Sequence, residues 1–241
     1  MISASLTWLF MLAIFADVSD PYARLDRLYT EGETVQEFLS LEKELRQSAP
    51  GPDDETAWRM GRVFYAIAKR SEGLQREEYY RRCIEQATRA TEISQQSAHG
   101  YFFKGLCIGR LGQLQGLWKS IGIIDPLREN MEIAARLNPK VDHGGPYRAL
   151  GKLYFELPVI LGGDKNRALD YLKRAVENGP LFMENYLYLA EILKARGESA
   201  EALATLRRLS RLMNTSSAIG DPETANQAKQ LLGELSAQNG N

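Results

Sequence analysis

Two groups of side chains recur along the helical part of the chain, and together they could bind a partner. Aromatic rings bury apolar surface, and charged groups pair with ions of opposite sign. The aromatic residues are Trp58, Tyr65, Phe102 and Phe155. The charged residues are Arg62, Arg110, Arg148, Lys152, Glu191 and Lys194. A groove with apolar walls and a basic middle suits an acidic or amphipathic peptide, although each aromatic could equally pack between helices.

The residues that could support catalysis do not form a recognisable constellation. His99 and His143 are the two histidines, and neither lies in a motif with a nucleophile or an acid. The turn Gly162-Gly163-Asp164 lacks the lysine of a phosphate-binding loop. No residues have the spacing of a metal site. The sequence therefore predicts a protein without catalytic residues, metal or cofactor.

The two cysteines leave two possibilities open, and the overall charge bears on whether nucleic acid is a partner. Cys83 and Cys107 lie in apolar helical contexts, and they could be buried thiols or a disulfide. Lys and Arg number 30 against 31 Asp and Glu, and no basic stripe with interleaved aromatics is present. Nucleic acid is therefore not an expected partner.

The first 16 residues differ in composition from the rest. An uncharged apolar run from Leu6 to Ala16 precedes polar chain beginning at Asp17. This run is too short to span a bilayer but fits a secretory signal cleaved after Ala16. We therefore expect residues 1–16 to be a signal peptide and the protein to be exported, as to a periplasm. The alternatives are an apolar N-terminal helix and a cytoplasmic or membrane-associated protein.

The remaining chain, residues 17–241, predicts one domain of paired helices. Segments 168–175 and 202–209 are two versions of the same amphipathic helix, 34 residues apart. We expect repeats at 57–96, 98–140, 144–180 and 183–214, with helix A first and helix B second in each. A helix from Tyr22 to Gln47 precedes them, and a capping helix at 221–237 follows. Asp125-Pro126 and Asp164 are expected to begin B helices.

Small residues give the register of the pairs. Gly61, Gly105, Gly151 and Ala190 occupy the middle of the A helices, where each would cross its neighbour. The matching B-helix faces begin at Cys83, Leu127, Ala168 and Ala202. The step from B to the next A is nearly constant, so the extra residues fall at the A-to-B turns. These inserts are residues 69–77, 111–123 and 157–163.

The second insert is the most apolar. Its apolar residues at the rim of the solenoid are Leu114, Leu117, Trp118 and Ile121. The insert could pack on the rim as a short helix, or it could contact a partner, a lipid or a second copy of the chain.

The third and fourth pairs resemble the tetratricopeptide repeat. In the fourth pair, the residues at its signature positions are Tyr186, Leu189, Ala190, Gly197, Ala202 and Leu206. The third pair is similar through Tyr147, Leu150, Gly151, Tyr154, Ala168, Leu172, Ala175 and Pro180. This resemblance implies an all-α solenoid of about four helix pairs, whose concave A-helix face binds a protein or peptide.

Three strings are similar to two narrower groups of these proteins. They are residues 101–107, 134–139 and 157–169. The groups are the T component of tripartite ATP-independent periplasmic (TRAP) transporters and the regulator-of-microtubule-dynamics proteins. Resemblance to the first group implies a partner of a transporter's substrate-binding protein, with a channel for a small apolar ligand. The main prediction remains a non-enzymatic scaffold for a protein or peptide.

Overall fold

Helices account for the fold throughout the part of the chain that the structure describes. This computed structural model describes residues 20, 22–48, 51–114, 116 and 121–239. Within these residues, an isolated bridge between Phe182 and Ile219 is the only β-pairing. The helices are α1 (Ala23–Glu31), α2 (Val35–Ser48), α3 (Asp54–Arg70), α4 (Gly73–Ile93), α5 (Ala98–Leu114), α6 (Ile121–Leu137), α7 (Gly145–Glu156), α8 (Lys165–Asn178), α9 (Met183–Ala195), α10 (Ser199–Met213) and α11 (Pro222–Asn239).

Four helix pairs stack in order along the chain. The pairs are α3/α4, α5/α6, α7/α8 and α9/α10, and each B helix also packs against the A helix that follows. Helices α1 and α2 cover the first pair, whereas α11 packs on both α9 and α10. The predicted all-α solenoid with a C-terminal capping helix is therefore confirmed.

Glycine allows the close crossing of the helices within a pair. A Cβ added at Gly61 would lie 3.4 Å from the Cys83 carbonyl oxygen, and one added at Gly105 would lie 3.1 Å from Met131 Cε. At Gly151 the corresponding distance to Leu172 Cγ is only 2.5 Å. Each of these contacts is with the predicted face of the partner B helix, so the register of the pairs is confirmed.

The contrast between two of these positions gives a first testable prediction. Gly151→Ala is expected to lower the free energy of unfolding by about 1–3 kcal/mol, because the methyl group overpacks against Leu172. Gly61→Ala has room for the methyl group and gains up to about 1 kcal/mol of helix propensity. Urea unfolding of both variants measures the difference. Equal midpoints for the two variants would contradict the packing explanation.

The segment predicted as one N-terminal helix is divided into α1 and α2. Helix α1 stops before Gly32, and Thr34 then begins α2 with a reciprocal cap. The Glu37 carboxylate accepts hydrogen bonds from the Glu33 and Thr34 backbone N–H groups at 2.9 and 2.8 Å. This Thr-x-x-Glu pattern is a capping box that analysis of the apolar stripe overlooked.

The extra residues at the A-to-B turns are accommodated in different ways. In the first pair they lengthen the helices, so that only Ser71 and Glu72 separate α3 from α4. In the third pair, residues 157–163 include a short 3₁₀ turn at Val159–Leu161. Asp164 then caps α8, and its carboxylate accepts hydrogen bonds from the N–H groups of Asn166 and Arg167.

The predicted start of α6 was wrong. The helix begins at Ile121, so Pro126 lies inside it rather than at its first position. A proline ring would normally clash with the carbonyl of the residue four positions earlier, which here is Gly122. Because this position is in only the second turn of α6, the helix loses few internal hydrogen bonds.

The connection between α10 and α11 returns to the turn before α9. The Met183 N–H donates to the Ile219 carbonyl, and the Ile219 N–H donates to the Leu181 carbonyl, each at 2.9 Å. These two hydrogen bonds bring Ile219 beside Phe182 and fix the path by which the chain reaches α11.

A disulfide joins the first two pairs. Cys83 of α4 and Cys107 of α5 are bonded, with their Cα atoms 6.2 Å apart, and both side chains are fully buried. Of the two alternatives left open by the sequence, the structure has the disulfide. Separately, none of the helices in the described ranges is long and apolar enough to cross a membrane.

Candidate functional site

A cavity of about 510 Å³ lies on the A-helix side of the solenoid. Residues of α3, α5, α7 and α9 line it, together with the α1–α2 turn and Ile219. Five of the predicted partner-binding residues line this cavity: Tyr65, Phe102, Arg110, Arg148 and Lys152. The helical register therefore brings these side chains together around one space.

The floor of the cavity is apolar and fixed in the core. Phe102, Leu127, Met131 and Leu153 line it, and each is at most 4% exposed. Such side chains cannot move aside without disturbing the core, so the floor is a preformed apolar surface.

Arg148 lies at the centre of a buried polar network. Its Nη2 lies 2.6 Å from the Asp142 carboxylate and its Nε lies 3.0 Å from the Glu184 carboxylate. Its Nη1 donates to the Asn185 Oδ1 at 3.0 Å, and its guanidinium covers the Phe182 ring. Because these partners occupy the guanidinium, Arg148 holds the wall together and is not available to a ligand.

Asn185 extends this network into the backbone. Its side chain is fully buried, and its Nδ2 donates to the carbonyl oxygens of His143, Ala175 and Gly179 at 2.8–2.9 Å. The left-handed backbone of Asp142 and His143 presents the His143 carbonyl to α9, and the other two carbonyls lie at the end of α8. Asn185 was not predictable from the sequence, since a single asparagine on a helix has no local pattern.

Lys152 has partners as well, but it is closer to water. Its Nζ lies 3.0 Å from Glu156 and 3.9 Å from Glu191, and it covers the Tyr188 ring at 4.2 Å. Tyr188 donates a hydrogen bond to the Glu184 carboxylate at 2.6 Å. Lys152 therefore contributes a partly compensated charge to the cavity wall.

Arg110 differs from both of these cations. Within the described residues, no carboxylate pairs with its guanidinium, which donates to Gln113 Oε1 at 3.3 Å. The Tyr65 side chain also lies within hydrogen-bonding reach of Arg110. Arg110 is thus a permanent cation inside the cavity, and no carboxylate of the described residues forms an ion pair with it.

Three tyrosines bring hydroxyl groups to the cavity. They are Tyr29, Tyr65 and Tyr188. Burial is the main cause that raises the pKa of each phenol. All three therefore remain neutral hydrogen-bonding groups across the physiological pH range.

The edge of the cavity is basic at the end of α3. Lys69 and Arg70 line it, and the Arg70 guanidinium donates to the Glu33 carbonyl oxygen at 2.6 Å. In total, the cavity lining contains five Lys or Arg side chains and three carboxylates. Its charge is therefore positive, although formal charge over the whole chain is −1.

Two of the predicted residues contribute to packing between helices instead. Trp58 stacks on His99 with ring centroids 4.2 Å apart and is 5% exposed. Arg62 lies between the rings of Tyr29 and Trp58 and pairs with Asp26 of α1. Each aromatic residue could line the groove or pack between helices, and Trp58 packs between helices.

The remaining three predicted residues lie in a second groove. Phe155, Glu191 and Lys194 line a space of about 580 Å³ against α11. Lys194 Nζ pairs with Glu234 of that helix at 2.9 Å. Because α11 covers this end of the concave side, the predicted single groove is divided in two.

Both histidines lie against aromatic rings, and the described part of the apolar insert is partly exposed. Burial lowers the pKa of His99, consistent with its place beneath Trp58, while His143 stacks on Phe182 at 5.3 Å. In the insert, Leu114 is 45% exposed. Leu117, Trp118 and the side chain of Ile121 lie outside the described residues, so self-association through this insert stays a prediction.

Sequence comparison identifies the family. A sequence model described as "Regulator of microtubule dynamics protein 1-3" matches residues 22–157, which is more than half of the chain. The chain belongs to this family. The match covers α1 to α7 and therefore most of the residues around the cavity. Nothing in the comparisons supports the resemblance to the TRAP transporter component.

Mammalian members of the family are distant relatives. The chain is 26% identical over 190 residues to regulator of microtubule dynamics protein 1 of Bos taurus, covering 72% of this chain and 58% of that protein. It is 30% identical over 127 residues to the Mus musculus protein, covering 52% and 40%. The chain thus spans about half the length of these two relatives.

Solved structures support the fold. A thermophilic TPR protein of Thermus thermophilus superposes with a TM-score of 0.64 at 18% identity, covering 88% of this chain and 97% of that one. The MamA structure gives a TM-score of 0.51 at 15% identity, covering 74% and 90%. The tetratricopeptide-like solenoid predicted from the repeats is confirmed by these likenesses.

Proposed function

We propose that this protein is a non-enzymatic scaffold that holds a peptide segment of a partner protein in the cavity of its concave face. The observation that supports this most is the preformed cavity itself, whose volume of about 510 Å³ falls in the usual range for ligand sites. Solenoids use this face to bind partners. The names of the mammalian relatives, regulators of microtubule dynamics, agree with a protein partner.

The chemistry of the cavity suits an acidic, amphipathic segment. Its apolar floor can bury hydrophobic side chains, and the net positive lining can pair with acidic ones. A small apolar ligand would use the same floor but would leave Arg110 without an anion. For this reason we favour the peptide, and the floor alone supports the apolar ligand as a second candidate.

Export to an oxidising compartment is part of the same proposal. The fully buried disulfide supports it, because such bonds are rare in reducing compartments. Residues 1–16, the predicted signal peptide, lie outside the described residues.

Filling the cavity tests the scaffold function. Ala149 lines the cavity on α7, and Ala149→Trp is expected to reduce capture of the partner from a cell extract at least tenfold by occupying its space. Quantitative mass spectrometry of cross-linked captures measures this loss. Ala204→Trp is the matched control, because Ala204 is exposed on α10 and does not line the cavity.

Two outcomes would contradict the scaffold proposal. One is that both tryptophan variants capture the same proteins in the same amounts as the unmodified chain. The other is a hydrophobic small molecule that co-purifies in native mass spectrometry and is displaced only by Ala149→Trp, which would favour the apolar ligand. Circular dichroism of both variants checks that the fold is retained.

A further inference from the structure

Arg110 is a cation whose environment is incomplete. A guanidinium has five N–H donors, and the partners of Arg110 among the described residues are the neutral side chains of Gln113 and Tyr65. By contrast, Arg148 has two carboxylates and an amide, and Lys152 has Glu156. All three side chains line the same cavity.

Leaving such a group without an anion is costly. A half-buried charge gives up part of its hydration, and a partner of opposite charge normally compensates for this. Arginine cannot relieve the cost by losing its proton. The cost is understandable if the compensating anion comes with the ligand.

The surroundings of Arg110 indicate which kind of anion would fit there. The planar guanidinium matches a carboxylate through two parallel hydrogen bonds. The adjacent Tyr65 hydroxyl is neutral and can donate to the same carboxylate. The apolar floor, together with Leu106 one turn before Arg110 on α5, can bury the rest of the residue that bears the carboxylate.

The other charges of the cavity favour a single negative charge over a double one. Asp142, Glu156 and Glu184 also line the cavity, and Glu184 is close enough to affect the pKa of Arg110. A phosphate dianion would meet more repulsion from these groups than a carboxylate. Lys69 and Arg70 at the edge can attract further acidic residues that stay nearer to water.

We propose that Arg110 is the anchor of the cavity and binds the carboxylate of an Asp or Glu side chain in the bound peptide. This inference rests on the proposed scaffold function and specifies the chemistry of its partner. Arg110 provides the paired hydrogen bonds, Tyr65 adds a third, and the floor binds the neighbouring apolar residue.

Three peptide pools test this anchor. Each pool contains acetylated, amidated hexapeptides made of Leu, Phe and one class of polar residue. That class is Asp and Glu in the first pool, Asn and Gln in the second, and phosphoserine in the third. Immobilised protein is expected to retain members of the acidic pool, and calorimetry then gives the Kd of the best one. Arg110→Gln should weaken it about 30-fold, as expected for losing hydrogen bonds to a charged group. Arg110→Lys should weaken binding by less than Arg110→Gln, because lysine keeps the charge but cannot form two parallel hydrogen bonds with the carboxylate.

The matched control is Arg207→Gln, since Arg207 is exposed on α10 and does not line the cavity. Its Kd should stay within twofold of the unmodified protein. Arg110→Gln should also keep or raise the thermal midpoint, because it removes an uncompensated charge. A structural role for Arg110 would instead lower that midpoint.

Several results would overturn the anchor. They are equal retention of the Asn and Gln pool, better retention of phosphoserine, retention of no pool, and a change below threefold for Arg110→Gln. If Ala149→Trp abolishes capture of the cellular partner while Arg110→Gln does not, the scaffold function stands and the anchor fails. If Ala149→Trp also leaves capture unchanged, the scaffold function itself fails.

Discussion

Arg148→Leu is expected to lower the free energy of unfolding by about 3 kcal/mol. The substitution leaves Asn185 Oδ1 without its donor inside the core, and it leaves Asp142 and Glu184 without their common cation. Both carboxylates keep partial access to water, at 39% and 29% side-chain exposure. The expected loss is therefore at the lower end of the range for breaking a buried ion pair.

Urea unfolding with Lys152→Leu as the matched control measures this effect. Lys152 is on the same helix one turn later, but its side chain is 30% exposed and its pair with Glu156 is near the surface. Such pairs contribute at most about 1 kcal/mol. Equal losses in the two variants would show that burial of the Arg148 network does not stabilise the fold.

Removal of the disulfide is expected to have the second large effect on the stability of the fold. Cys83→Ala with Cys107→Ala is expected to lower the free energy of unfolding by about 3 kcal/mol, because the bond closes a loop across 24 positions of sequence. For a chain of this size, that corresponds to a fall of about 6–12 °C in Tm. The physical reason is the greater freedom of the unfolded chain, since both sulfurs are already fully buried in the folded one.

Reductant provides the control within one protein. The unmodified chain should unfold at lower urea concentration once it is reduced, whereas the double alanine variant should not respond to reductant. Identical urea midpoints for the oxidised and reduced chain would contradict the prediction. Alkylation of cell extracts before and after reduction would then show whether the bond forms where the protein resides, which tests export.

The fold was predictable because it repeats. Gly61, Gly105 and Gly151 each meet the expected face of the next helix, so constant spacing alone gave the register of the pairs. The stripe of apolar residues was not enough to predict where individual helices begin and end, because local capping and backbone chemistry set those positions. The Thr34–Glu37 cap divides the N-terminal helices, and α6 begins one turn earlier than its proline suggested.

The sequence predicted which face of the solenoid carries the site, but not the contacts between the residues of the site. Helical periodicity was enough to bring Tyr65, Arg110 and Arg148 to one side, since each is on an A helix. It could not assign their partners, because Arg148 meets Asn185 across 37 positions of sequence. It also could not place α11 against Glu191 and Lys194, because that contact depends on how residues 214–221 return to the turn before α9.

The position of α11 also limits how this protein can assemble. It lies on α9 and α10, where the A helix of a fifth pair would otherwise pack, while α1 and α2 cover the opposite end of the stack. A further helix pair could therefore stack on α10 in register only if α11 moved away from it. Displacement of α11 would also open the second groove, because residues of α11 form one of its walls.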